Sequence, residues 1–423
     1  MKYAAYLAHQ PASTPMRLAR QPQAGYVTLS IAVILLIILS LMTVYLSRSG
    51  IIDIRTSANK TRYAQALTTA ERNLEIGLAW ISLSANRATL TPAAWVLCND
   101  GTLASYKAAA LGATWRCLPK TSNYTDGVTT TTVTFVIATP ADALANGKTY
   151  TLVAEGLSSD GSANAVVKQG VFFYSVNGGA GAAPPLMGSG NIPLNGTFSV
   201  VTNPNSGGQG VPVSVWSKIT VPTPSGSSAT CQIQEYNQNG DCSTAAISSS
   251  LGKGKDIVEN DATGFPSDVF QFIFGIPAAS YQTVKSQATQ VANCSNLNGL
   301  KGIVWVAAEC TIPSGTTVGS TSDPVVLVVE SGNFTMSANS TFYGLLFAFG
   351  PTGPSFNAGD IKTNGGATFY GSIISNDSVD MGLNINGTFN MIYSKDVMGA
   401  IYSPTNNQFK VMAKIPGSWA DYL

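Results

Sequence analysis

The chain has 423 residues, of which 11% are charged and 41 are glycine, and its formal net charge is +1. That length allows two or three domains, and a balance this close to neutral leaves no electrostatic footprint for nucleic acid. The single histidine is His9, so Ser-His-Asp and Cys-His nucleophile systems and histidine-based zinc sites have no histidine to draw on in the rest of the chain.

Residues 1–25 form a polar leader that carries Lys2, Arg17 and Arg20, no acidic residue, and ends at Gly25. The run Tyr26–Ser47 follows, 22 residues without a charge or a proline, closed by Arg48. About 20 apolar residues span the ~30 Å core of a bilayer as a helix. No A-x-A pattern follows the run, as a cleaved secretory signal would require, and a plain single-pass anchor is the other membrane reading. The basic leader places the N-terminal side in the cytoplasm. Beyond Arg48, Ile51, Ile54, Ala58, Ala66, Ala70, Leu74, Leu78 and Ile81 recur at spacings of three and four, interspersed with Arg55, Lys60, Arg62, Glu71, Arg72 and Glu75. This is an amphipathic helix. A single helix over 26–84 would be roughly 90 Å long at 1.5 Å per residue. Gly50 is its weak point, because glycine costs about 1 kcal/mol in a helix interior. A membrane helix followed by a separate juxtamembrane helix is the alternative.

Gly25-Tyr26 before a long apolar run resembles the processing site of type IV prepilins. The likeness covers about 25–84 and is nearest to the PilX-type N-terminal segment of minor pilins. It implies cleavage after Gly25 by a prepilin peptidase and storage as a single-pass inner-membrane protein. It then implies polymerisation with other minor and major pilins into an extracellular pilus. Three of the 23 basic residues and none of the 22 acidic ones lie in the leader, so the mature chain would carry a formal net of −2. In most pilins the fifth mature residue is a glutamate that neutralises a neighbouring N-terminal amine in the filament core. Here that filament-core position is Ser30. An unpaired buried charge is costly, so a subunit without the carboxylate fits a tip or initiation role better than the shaft. The tip pseudopilin of type II secretion also lacks it and is an alternative reading.

The cysteines are Cys98, Cys117, Cys231, Cys242, Cys294 and Cys310. An even number beyond a membrane segment reads as disulfides in an oxidising compartment. Of the 15 pairings that six cysteines allow, sequence neighbours are the choice: 98–117, 231–242 and 294–310. No CxxC pair occurs, so a zinc ribbon or a thioredoxin-type motif is not indicated.

Residues 85–176 read as a β headpiece with strands at Thr129–Ala138, Lys148–Gly156 and Ala163–Ser175. Residues 177–190, rich in Gly, Ala and Pro, read as a linker. Residues 191–423 contain repeats: TFYG at Thr341–Gly344 and again at Thr368–Gly371, LNGTF at Leu194–Phe198 against INGTF at Ile385–Phe389. Periods of 20 to 30 residues predict a β-solenoid, with Phe342, Phe369 and Phe389 on one interior line; an antiparallel β-sandwich is the other reading. The stretch 212–300 reads as a disulfide-bearing insertion with helices at Ser267–Phe274 and Ala279–Val291. The fold class is therefore α+β: a long N-terminal helix, a small antiparallel pilin-like sheet, then a β-rich domain.

Glu235, Asn237, Asn239 and Asp241 alternate like the start of a calcium loop. The twelfth position is Ala246, which excludes an EF-hand, and a polar disulfide-closed turn is the competing reading. The eight N-x-S/T sequons, Asn195, Asn333, Asn339, Asn376 and Asn386 among them, read as turn chemistry. Asp360, Lys362, Asp377, Asp380 and Asp396 are the only dense charges among the repeats. They would serve an anchored polysaccharide-binding or polysaccharide-degrading protein if one groove gathered them. The reading with most support is a non-enzymatic minor pilin, without a cofactor apart from the calcium option. It would act in assembly and at the tip, displaying its β-domain for adhesion or for a large tip adhesin.

Overall fold

The computed structural model describes residues 24–87, 90, 95–98, 114–125, 130–141, 148–176, 183–203, 212–351, 359–403 and 406–422. The leader before Ala24 and the first half of the expected linker lie outside them. The chain divides into two units, Met1–Ala64 and Gln65–Leu423. One helix, Ala24–Ser82, belongs to both. No proline interrupts it, and Gly50 does not break it. In the first unit every described residue is helical, and Ile51 and Ile54, expected on a buried stripe, are exposed.

In the second unit Ala66, Ala70, Leu74, Leu78 and Ile81 are buried. They pack on an antiparallel sheet of Val96–Leu97, Trp115–Thr125, Thr130–Pro140, Thr149–Leu157 and Asn164–Ser175, in that order. The sequence reading missed Trp115–Thr125, whose Pro119 and charged residues hide it. Its outer side is paired only at Arg116 and Cys117, so Pro119 costs no ladder bond there. Small residues set the helix-to-sheet distance. A Cβ on Gly156 would lie 2.1 Å from the Ala70 nitrogen and 2.2 Å from the Ala66 oxygen. The Asn73 amide donates to the Glu155 carbonyl at 2.6 Å beside this contact.

The assignment of 191–423 to one β-rich domain needs correction at its end. Lys410–Lys414 and Ala420–Tyr422 both pair antiparallel to Asn164–Ser175 and so belong to the headpiece sheet. The β-rich domain thus leaves and re-enters through that sheet. Buried Arg87 ties the parts together. It donates to the carbonyls of Ile81 and Ser82 at the end of the long helix, and to that of Lys410 on the returning strand. Its guanidinium lies 5.5 Å from the Phe173 ring centroid. Burial pushes Arg87 down to about 9, so it stays charged at neutral pH. Lys410 is pushed down to about 8, first by burial, then by Arg87 and Lys148.

Between those strands the chain forms parallel ladders. One sheet runs Ile257–Val258, Val215–Ser217, Leu186–Gly188, Ala367–Ser375, Thr341–Phe349, Val325–Glu330, Gly302–Val306, Thr289–Val291. A second, four-stranded sheet runs Cys310–Ile312, Phe334–Met336, Ile361–Asn364, Leu383–Asn386. The long strands bend at Gly344 and Gly371, whose φ angles are 156° and 141°. A Cβ at either would meet a carbonyl oxygen of the rung below at 1.8 Å, so the last residue of each TFYG has to be glycine. One apolar core fills the space between the sheets. The outer face of the long sheet is covered as well, by the helices Val269–Phe274 and Lys395–Tyr402 among others. Burial on both faces explains why VVLVVE and GLLFAF are unbroken apolar runs rather than alternating ones.

The winding order corrects three expectations. Half of the expected linker is not one: Leu186–Gly188 is a buried strand paired with Ile373–Ser375. The stretch 212–300 is not an insertion, because Val215–Ser217, Ala229–Gln232, Ile257–Val258 and Thr289–Val291 are rungs of the ladders. The chain therefore enters the stack in its middle, winds to one end, crosses over, and winds back from the other end. Its last coil then lies beside its first, with Thr388–Ile392 on Thr197–Val201. The third correction concerns the phenylalanines. Phe342 stacks on Phe369 at 4.6 Å, but Phe389 is in register with Phe198, at 5.2 Å, and with Ala367. The two NGTF segments are adjacent rungs. Within 279–291, only Tyr281–Lys285 is α-helical, after a single 3-10 turn at Ala278–Ser280, and Thr289–Val291 is a strand.

Gly156→Val lowers stability by about 3 kcal/mol or more, since backbone would have to move. Gly50→Ala, with open space around it, is neutral or stabilises by up to about 1 kcal/mol. Urea unfolding of the detergent-solubilised chain, followed by tryptophan fluorescence, measures both. A second expectation concerns pH. Lys410 has a folded pKa of about 8 against an ordinary 10.5, so between these values the unfolded chain binds more protons and stability rises with pH. Tyr150 and Tyr393 are pushed up to about 12 by burial, and Tyr402 further. Above pH about 10 the unfolded chain loses those protons first and stability falls. The melting temperature should rise from pH 8, peak near 10 and then drop; Arg87, held at about 9, adds to the rise above that pH, so Lys410→Met should reduce the rise without abolishing it.

Candidate functional site

The first unit presents an apolar surface that the described residues leave exposed. Its most apolar window has a mean hydropathy of 2.8 and no buried residue. Leu36 is 67% exposed and Leu41 65%. The hydroxyls within this surface close on the helix itself: Ser30 donates to the Tyr26 carbonyl at 2.9 Å, Ser40 to that of Ile37 and Thr43 to that of Leu39, both at 2.8 Å. Closing these three hydroxyls onto the helix lowers its hydrogen-bonding demand on the surroundings, which suits an apolar environment. Gly25 and Tyr26 lie in the first described turn, and Tyr26 is 79% exposed.

Three disulfides join Cys98 to Cys117, Cys231 to Cys242 and Cys294 to Cys310. The second ties the rung Ala229–Gln232 to the loop after the short helix Ile233–Asn239. A loop of this length is stabilised by roughly 3 kcal/mol on chain-entropy grounds.

The calcium candidates lie on that helix and its C-terminal turn. Glu235 Oε1 accepts from the Asn239 amide and from the backbone of Thr244 and Ala245, and Asp241 Oδ1 accepts from the backbone and hydroxyl of Ser243. Asp241 is held below the usual carboxylate range by those two bonds. One oxygen of each carboxylate is thus engaged by the loop's own donors. Among the described residues no group of three or more His, Cys, Asp or Glu side chains could hold a metal ion.

The five charges among the repeats are not gathered in one place. Asp360 and Asp380 line a groove of about 410 Å³ with Asn195 and Asn384, and Lys362 lies 3.5 Å from Asp360. Asp377 turns inward to accept from the backbone of Val379 and Asp380. Asp396 stands at a second cleft of about 360 Å³ with Asn203, Ile233, Tyr370, Ile392 and Lys395. No sequence pattern signals this cleft, because its lining comes from strands and helix starts that are distant in the chain. A third groove of about 440 Å³ lies between the long helix and the headpiece sheet, where Trp80, Leu83 and Tyr124 line it.

No family model matches the chain, and no curated protein does. Among solved structures, the crystal structure of the competence-associated pilin ComZ from Thermus thermophilus is similar at 13% identity, over 85% of this chain and 98% of that chain, with a TM-score of 0.22. So low a score leaves the function to be argued from the chain itself.

Proposed function

We propose that the chain is a minor pilin of a type IV pilus that acts in filament initiation and at the tip, and displays its β-rich domain there. The observation that carries this reading is the exposed apolar helix Tyr26–Ser47, whose amphipathic continuation packs on an antiparallel headpiece sheet. The apolar half would be held in the inner membrane and then enter the filament, against other minor and major pilins. A prepilin peptidase would cut after Gly25. The parallel ladders, the interior core and the glycine bends support reading the β-rich domain as a β-solenoid. Such a bulky domain suits the end of a thin filament, presented to a surface or to a larger tip adhesin, outside the cell. The reading is one of assembly and display.

Two measurements test it. Substituting Gly25 with a bulky residue should abolish processing, seen as retention of the leader on mass spectrometry of the membrane fraction; normal processing would sink the prepilin assignment. Ser30→Glu should carry the subunit from the tip into the shaft, detected by immunogold along sheared filaments. Filaments labelled only at one end in both variants would remove the argument from Ser30. If deletion of the chain leaves pilus number, twitching and adhesion all unchanged, the function itself is wrong.

A further inference from the structure

We propose that the cleft between the first turns of the helices Ile233–Asn239 and Lys395–Tyr402 binds a single neutral sugar ring, and that this is the recognition site of the displayed β-rich domain. The proposal rests on the display reading above and names its ligand class. Its floor is an outward-facing row of the parallel ladder. Tyr343 is in register with Tyr370, Tyr370 with Ile392, and Ile392 with Val201. The two tyrosine rings are stacked, 4.8 Å apart and inclined by 6°. Tyr236 and Ile233, from the disulfide-tied helix, pack at the same place. Elsewhere on the long sheet the outward rows lie under helices; here Tyr343 and Tyr370 stay partly exposed.

The lining combines two chemistries. Tyr370, Ile392 and Ile233 offer an apolar floor, suited to the C–H face of a pyranose. Asn203, Lys395 and Asp396 stand at its edge. An amide donates and accepts, an ammonium only donates and a carboxylate only accepts, so the set matches neighbouring hydroxyl groups, which do both. One lysine and one aspartate balance each other. That argues against a site for an anion or for a cation, and for a neutral polyol. A volume of about 360 Å³ is at the lower end of small-molecule pockets, enough for one ring. Both walls are fixed before any ligand arrives. The Cys231–Cys242 bond holds one, and Ser394, which accepts from the Val397 backbone, caps the helix that forms the other. Preorganisation of this kind lowers the cost of binding.

The test uses the full-length chain in detergent and saturation-transfer NMR with the methyl glycosides of glucose, galactose, mannose and N-acetylglucosamine, and with glucuronate and inorganic phosphate as anions. At least one neutral glycoside should bind saturably, with a Kd on the order of 1 mM. Asp396→Asn, at an exposed position, and Tyr370→Ala should each weaken it by roughly tenfold or more. Lys362→Ala, on the other sheet, should leave it unchanged. The proposal is overturned if none of the glycosides binds, if Asp396→Asn leaves the affinity unaltered, or if either anion binds more tightly than every glycoside. Filament incorporation of the same proteins separates the two readings. A chain that enters filaments but binds no glycoside sinks the sugar site alone, whereas one that never enters filaments sinks the display reading.

Discussion

Everything about this chain has to accommodate an apolar helix surface that the described residues do not cover. Leu, Ile and Val side chains between Tyr26 and Ser47 are about half to two-thirds exposed. Covering one such side chain is worth about 1.5–3 kcal/mol, so the run as a whole represents tens of kcal/mol. The total stability of a domain is about 5–15 kcal/mol. No rearrangement within the folded part could offset that. Lipid and other apolar helices are the two surroundings that can supply such cover, and the proposed function uses both in turn.

The second unit solves a different problem, which is how to hold a β-rich domain on a helix without a loose joint. The domain is threaded through the headpiece sheet, with Asn164–Ser175 leading out and Lys410–Lys414 leading back beside it. Arg87 joins the end of the long helix to that returning strand, and Gln287 exchanges two hydrogen bonds with the Met412 backbone from the other side. The parallel stack is closed in a similar way. Its first coil, around Thr197–Thr202, stays open on one side until Thr388–Ile392 arrives. Rungs bury their core only against neighbours, so the middle of the stack forms from the two most separated parts of the domain. Contacts of such long range slow folding and make the finished domain cooperative, because neither half of the stack is complete alone.

Much of this was legible in the sequence, and the failures have physical causes. The helix announced itself by length and by the change from an apolar run to a three- and four-residue period. The repeats TFYG and NGTF marked real rungs, because a bend that only glycine can make recurs wherever the chain turns the same corner. Their order in space was not legible. Phe389 was expected beyond Phe369, but register is set by backbone pairing, and the rung carrying Phe389 is offset so that it meets Phe198 and Ala367. Leu186–Gly188 was hidden among glycines and prolines, and Lys410–Lys414 by its two lysines. Both strands are fixed by partners far away in the chain, which no local pattern can report. The cleft at Tyr370 was invisible for the same reason: Asn203, Ile233 and Lys395 converge only once the winding is known.

Ser30 shows how one residue shapes the uncovered surface. Its hydroxyl donates to the Tyr26 carbonyl one turn back, so the helix stays neutral and self-satisfied at that point. A carboxylate in the same place would carry a charge that apolar surroundings penalise by several kcal/mol unless a cation is supplied. In a filament a neighbouring chain can supply that cation, which would make a carboxylate subunit favour positions with a neighbour. A serine subunit has neither the attraction nor the penalty. It fits among apolar helices or lipid equally well and gains nothing from being surrounded. At the end of a filament, where one side has no neighbour, that indifference is an advantage, and it is the physical content of the tip role proposed above.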